Sequence, residues 1–135
     1  MKEKILIVDD DADARDAFQS ALVSSGYTVA SARSADEAWP IIVDAHPDLV
    51  VTDIHMPGVH GVHLAQSIRQ LPNPMPVVLV TGGETKNLQT ESDLYGAVAC
   101  LKKPMALDSL IWTIEKALAC KNEPAASRPP AVSTL

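Results

Sequence analysis

A chain of 135 residues can bury one substantial core and is too short for two ordinary domains. Its 47% apolar and 21% charged residues and mean hydropathy of +0.07 mark a globular protein, and with aromatics at 4% the core must be built of Val, Ile, Leu and Ala. A net charge of -6 with a pI near 5.0 speaks against direct nucleic-acid binding, which requires clustered Lys and Arg to neutralise phosphates.

The first apolar run, Ile5-Leu6-Ile7-Val8, is bounded by charge on both sides and predicts a buried strand. Ala14, Ala17, Phe18, Ala21, Leu22 and Ser25 then recur at helical spacing, with Asp11 as N-cap and Gly26 as the stop. A second strand covers residues 27–31. Ser34-Ala35-Asp36-Glu37 reads as a capping box opening a second helix, in which Pro40 predicts a kink or an early end near Trp39. Residues 48–53 form a third strand that ends on an aspartate. Met56-Pro57-Gly58 turns the chain into a third helix over about 59–71, with Leu64, Ala65 and Ile68 inward.

Three prolines lead to a fourth strand over 77–81, a continuous apolar run suited to burial on both faces, which Gly82-Gly83 ends. Residues 84–95 hold few large aliphatics and give a weak fourth helix. Residues 98–102 form a fifth strand. Leu107, Leu110, Ile111, Ile114 and Leu118 mark an amphipathic fifth helix ending near Lys121, with Trp112 off its apolar stripe. Alternating strands and helices predict a flavodoxin-like (βα)5 doubly wound α/β fold with a parallel sheet in the order 2-1-3-4-5. Residues 1–121 form this domain, and the Pro-, Ala- and Ser-rich residues 122–135 read as a disordered tail or interdomain linker.

No apolar run approaches the roughly 18 residues of a spanning helix, and the charged start lacks the apolar stretch of a signal peptide, so the expected location is cytoplasmic, away from membranes. Cys100 and Cys120 lack metal-ligand spacing and read as two reduced thiols.

Open parallel sheets bind ligands beyond the carboxyl ends of their strands. The first strand is followed by Asp9 and Asp10, the third ends in Asp53, the fourth in Thr81, and Lys103-Pro104 follows the fifth. Three carboxylates, a hydroxyl and an ammonium therefore converge on one crevice. Clustered carboxylates repel, and a divalent cation with oxygen ligands relieves the repulsion, with Mg2+ the expected occupant and Mn2+ the alternative. Such a set meets the needs of phosphoryl transfer, and an aspartate can itself be the nucleophile, forming an acyl phosphate. Asp11 and Asp13 are better suited to the positive N-terminus of the first helix than to a metal. His60 and His63 share a helix face but, even with His55, find no carboxylate or Cys nearby to complete a transition-metal site, and read as surface histidines.

These residues resemble the response-regulator receiver domains of two-component signal transduction. The match covers about residues 3–120 and rests on four pieces in order: the run from Ile5 to Asp11, the run from Val50 to Gly58 with Gly61, Val80-Thr81-Gly82, and Gly96-Ala97 followed by Leu101-Lys102-Lys103-Pro104. The resemblance implies Asp53 as phosphoacceptor, Asp10 as a direct metal ligand, Asp9 as an acidic residue ligating mainly through water, and His55 contributing its backbone carbonyl. It implies that Thr81 and Lys103 contact the phosphoryl group, that the 103–104 peptide is cis, and that phosphate comes from a histidine kinase or phosphotransfer protein. It further implies a signalling switch rather than an enzyme turning over an external substrate, with a downstream protein partner and homodimerisation through the fourth helix, fifth strand and fifth helix.

Three positions depart from the family pattern. Cys100 stands where many members carry Tyr or Phe, Met105 replaces a frequent Phe, and Gly83 stands two residues beyond Thr81 where others carry a side chain that influences the attacking water. Two alternatives accompany the reading. One is a receiver cut from a larger regulator or hybrid kinase. The other is a haloacid-dehalogenase-like phosphohydrolase, disfavoured because that family wants an Asp two residues after the nucleophile, where His55 stands.

Overall fold

The computed structural model describes residues 3–54, 61–82, 99–102 and 106–121. Five strands, β1 (Lys4–Val8), β2 (Thr28–Ala32), β3 (Leu49–Asp53), β4 (Val77–Thr81) and β5 (Ala99–Lys102), alternate with helices α1 (Ala12–Ser24), α2 (Ala35–Ala45) and α3 (Gly61–Arg69), and the C-terminal helix spans Leu107–Lys121. All strand pairs are parallel and the order is β2-β1-β3-β4-β5, as the sequence pattern predicts. The predicted helix over 84–95, the turn at 56–58, the 103–104 peptide, Gly83, Met105 and residues 122–135 lie outside the described residues.

β3 and β4 are buried along their whole length because helices cover both faces of the sheet. Alternation along each strand divides the core in two. Ile5, Ile7, Val51, Val78 and Val80 pack with Phe18 and Leu22 of α1 and with Leu110, Ile114 and Leu118 of the C-terminal helix. Leu6, Val8, Val50, Val77, Leu79 and Cys100 pack instead with Ala38 and Ile42 of α2 and Leu64, Ala65 and Ile68 of α3. Leu107, expected on the apolar stripe, is exposed, whereas Trp112 is off the stripe as predicted, 60% exposed, with the Lys116 ammonium 5.5 Å from its ring centre.

Local chemistry explains where the elements start and stop. Asp11 caps α1, its carboxylate accepting the Asp13 N–H at 3.0 Å. At the other end, the Gly26 and Tyr27 N–H groups donate to Val23 and Leu22, and Gly26 takes φ 99°. Because Tyr27 is spent closing that helix, β2 begins at Thr28 rather than one residue earlier. β3 likewise begins at Leu49, since Asp48 ties the start of β3 to the start of β1: its N–H donates to the Lys4 carbonyl and its carboxylate accepts the Lys4 N–H, each at 2.8 Å.

Ser34 caps α2 by accepting the Glu37 N–H at 3.1 Å, but the returning arm of the box lands one residue early, on the Arg33 N–H at 3.0 Å. Pro40 does not shorten α2, which runs through it to Ala45. Pro40 and Asp36, whose carbonyl proline deprives of its helical donor, both lie on the exposed face, where solvent has access to that carbonyl. The helix ends at His46, a non-glycine residue in the left-handed region (φ 46°, ψ 69°), and its Nε2 hydrogen-bonds the Asn73 carbonyl at 2.9 Å. α3 ends at Arg69, where the next N–H groups turn to tighter bonds, Gln70 to Ser67 and Leu71 to Ile68.

Candidate functional site

The strand order reverses between β1 and β3, and the crevice at such a switch point opens at the carboxyl ends of the strands. In register, Val8 pairs with Ala32 on one side and Thr52 on the other, Asp53 pairs with Val80, and Thr81 pairs with Lys102. Asp9, Asp53 and Thr81 therefore emerge at one end of the sheet from three adjacent strands. They are buried, at 1%, 8% and 0% exposure, while Asp10 is exposed.

Asp9 is fixed from three directions. Its N–H extends the sheet by donating to the Ala32 carbonyl at 3.1 Å, its Oδ1 accepts the Asp11 N–H at 2.9 Å, and its carbonyl accepts a hydrogen bond from Arg15 Nη1 at 2.8 Å. Asp53 is held by continuation of the ladder: the Ile54 N–H donates to the Val80 carbonyl at 2.8 Å, and the buried Thr52 hydroxyl donates to the Asp53 carbonyl at 3.2 Å. Thr52 drew no attention in the sequence because it lies inside an apolar run.

The carboxylates of Asp9, Asp10 and Asp53 each place an oxygen within 4.8 Å of the others. All three donors are hard oxygens, and the exposed Asp10 leaves one side open to solvent. That set fits a hard cation such as Mg2+ or Mn2+, which keeps water ligands, better than a soft metal that seeks thiolate or imidazole. Asp11 and Asp13 are outside the cluster and serve the helix start, as expected. Of the six predicted site residues, four are described and share this end of the sheet. His55 and Lys103 lie outside the described residues, as does His60; His63 is exposed.

A doubly wound five-stranded parallel sheet with an acidic trio at its switch point is the architecture of a receiver domain. The chain belongs to the response regulator receiver domain family, which matches residues 5–115. It is 36% identical over 129 residues to the transcriptional regulatory protein FixJ of Bradyrhizobium diazoefficiens, covering 93% of this chain and 60% of that protein. It is 34% identical over 113 residues to the C4-dicarboxylate transport transcriptional regulatory protein DctD of Rhizobium meliloti, covering 84% of this chain and 25% of the relative. The chain thus spans only part of the length of these relatives. Among solved structures, a CheY-like response regulator receiver domain protein from Methanospirillum hungatei superimposes with a TM-score of 0.83 at 30% identity, covering 90% of this chain and 97% of that one.

No helix among the described residues is long and apolar enough to cross a membrane. Cys100 is buried in the α2/α3 side of the core.

Proposed function

We propose that the chain is a phosphorylation-driven switch that accepts a phosphoryl group on Asp53 from the phosphohistidine of a histidine kinase or phosphotransfer protein. The observation that carries this reading is the gathering of Asp9, Asp10 and Asp53 at the ends of β1 and β3, with Asp53 nearly buried. One Asp53 carboxylate oxygen forms a bond to phosphorus as the phosphorus–nitrogen bond to the donor imidazole breaks, leaving an acyl phosphate here and a free histidine on the donor. Asp10 and Asp53 would hold Mg2+ directly and Asp9 mainly through water, with the His55 carbonyl as a further ligand. A cation held there would supply charge neutralisation to the phosphoryl oxygens.

The Thr81 hydroxyl donates to a second phosphoryl oxygen and the Lys103 ammonium neutralises a third. The three anchors on Asp9 keep its carboxylate oriented before any ligand arrives, so little reorganisation accompanies transfer. The domain comprises residues 1–121, residues 122–135 serve as a tail or an interdomain linker, and the protein works in the cytoplasm by changing its affinity for a protein partner. The relatives carry more chain than this one covers, which supports the reading of a receiver portion within a larger regulator.

The test is incubation with a small phosphodonor such as acetyl phosphate, followed by intact-protein mass spectrometry. The wild type with Mg2+ should gain one phosphate, and Asp53→Asn, or wild type in excess EDTA, should gain none. A full adduct on Asp53→Asn would overturn the assignment. Steady turnover of a phosphomonoester would point instead to a phosphohydrolase.

A further inference from the structure

Packing three carboxylates within 4.8 Å calls for a nearby positive charge when no metal is bound, and α1 supplies one. Arg15 lies one turn into the helix and is half-buried, and its side chain runs back toward the helix start, as helical side chains do. There Nη1 donates to the Asp9 carbonyl at 2.8 Å, a charge-assisted bond to the peptide that links Asp9 to Asp10. The guanidinium is also within electrostatic reach of the Glu37 carboxylate at the start of α2, which is chiefly occupied by the Arg33 N–H and guanidinium.

We infer that Arg15 is a resident counter-charge of the acidic crevice: held on the Asp9 carbonyl, it stabilises the metal-free carboxylate cluster and thereby restrains the affinity for divalent cations. The inference deepens the proposed function and rests on that reading for its metal arm. Whatever stabilises the empty cluster more than the filled one must lower cation affinity by linkage. A guanidinium one peptide from two ligating side chains also repels an incoming divalent ion. Arg15 touches neither the phosphoryl group nor the metal and acts through position and charge.

The experiment compares wild type, Arg15→Lys and Arg15→Gln by calorimetric Mg2+ titration at low salt and by metal-free thermal unfolding. Arg15→Gln should bind Mg2+ roughly 3- to 10-fold more tightly, a gain that shrinks as salt is added, as expected of a unit charge several ångströms away. Arg15→Lys, which keeps the charge, should stay near wild type. Without metal, Arg15→Gln should melt lower than wild type, and the loss should largely vanish in an Asp10→Asn background. Unchanged or weaker Mg2+ binding by Arg15→Gln, or a Lys variant that behaves like Gln, overturns the inference. If the wild type itself binds no Mg2+, the proposed function fails, and the metal-free cycle alone decides on Arg15: full loss in both backgrounds refutes it.

Discussion

In β1, β3 and β4 the bodies of the strands and the residues Asp9, Asp53 and Thr81 at their carboxyl tips are both buried but made of opposite chemistry. In the bodies, Ile5, Leu6, Ile7, Val50, Val78 and Leu79 are fully enclosed and wholly apolar. One or two residues further on, Asp9, Thr52, Asp53 and Thr81 are the buried polar residues among those described. Burying apolar groups drives folding, whereas burying carboxylates opposes it unless each is hydrogen-bonded or compensated. The fold therefore uses its bodies for stability and places at its tips groups that stability alone would not select. Anchors on the Asp9 N–H, carboxylate and carbonyl limit the cost.

The contrast can be broken most forcefully in a strand body. Leu79→Ala should cost about 2–5 kcal/mol of stability through lost transfer energy and an unfilled cavity. Below its lowered melting temperature, the variant should still take up phosphate at Asp53. Denaturant unfolding beside mass spectrometry checks both halves, and Asp53→Asn should show the reverse pattern, a retained fold without phosphate.

The rim of the sheet comes next. Ser34→Ala removes the acceptor for the Glu37 N–H at the start of α2 and should cost about 1 kcal/mol, read by urea unfolding. It is not one of the acidic trio and should leave Mg2+ affinity alone.

Within the tips, a smaller effect of opposite sign is expected. Asp10→Asn removes one of three repelling carboxylates, so metal-free thermal stability should hold or rise while Mg2+ binding is lost. A marked fall in metal-free melting temperature would mean that Asp10 supports the fold.

The smallest effect concerns a polar atom in the strand-body layer. Burial, with the charges of Glu115 and Glu3, raises the Tyr27 phenol above its ordinary value. The folded state then holds this proton more tightly than the unfolded chain, so its contribution is complete below about pH 10 and is lost as pH rises through the folded value. Tyr27→Phe should flatten the alkaline limb of a stability–pH profile and leave neutral behaviour little changed.

Much of the fold was legible because its signals are local. A parallel strand covered on both faces must be a continuous apolar run, so β1, β3 and β4 announce themselves, and the polar residue closing each run marks the crevice. Asp11, Ser34 and Gly26 are legible for the same reason, since caps act within a few residues. Of the two outcomes expected of Pro40, an early end does not occur, because on the solvent face the helix continues through it. Leu107 misled in the opposite way, an apolar residue at helical spacing that the fold leaves exposed.

By itself, then, the order of residues determined the class of fold, the strand order, and the aspartates, threonine and lysine that close the apolar runs, because periodicity and chain connectivity are written along one dimension. Only the tertiary structure decided the spacing of Asp9, Asp10 and Asp53, the reach of Arg15 back to the Asp9 carbonyl, the Thr52 hydroxyl tied to the Asp53 carbonyl, and the bond from left-handed His46 to Asn73. Each depends on how side chains are aimed once strands far apart in sequence lie about 4.8 Å apart in the sheet, or once a helix is packed on it, and no pattern of residue types encodes that direction.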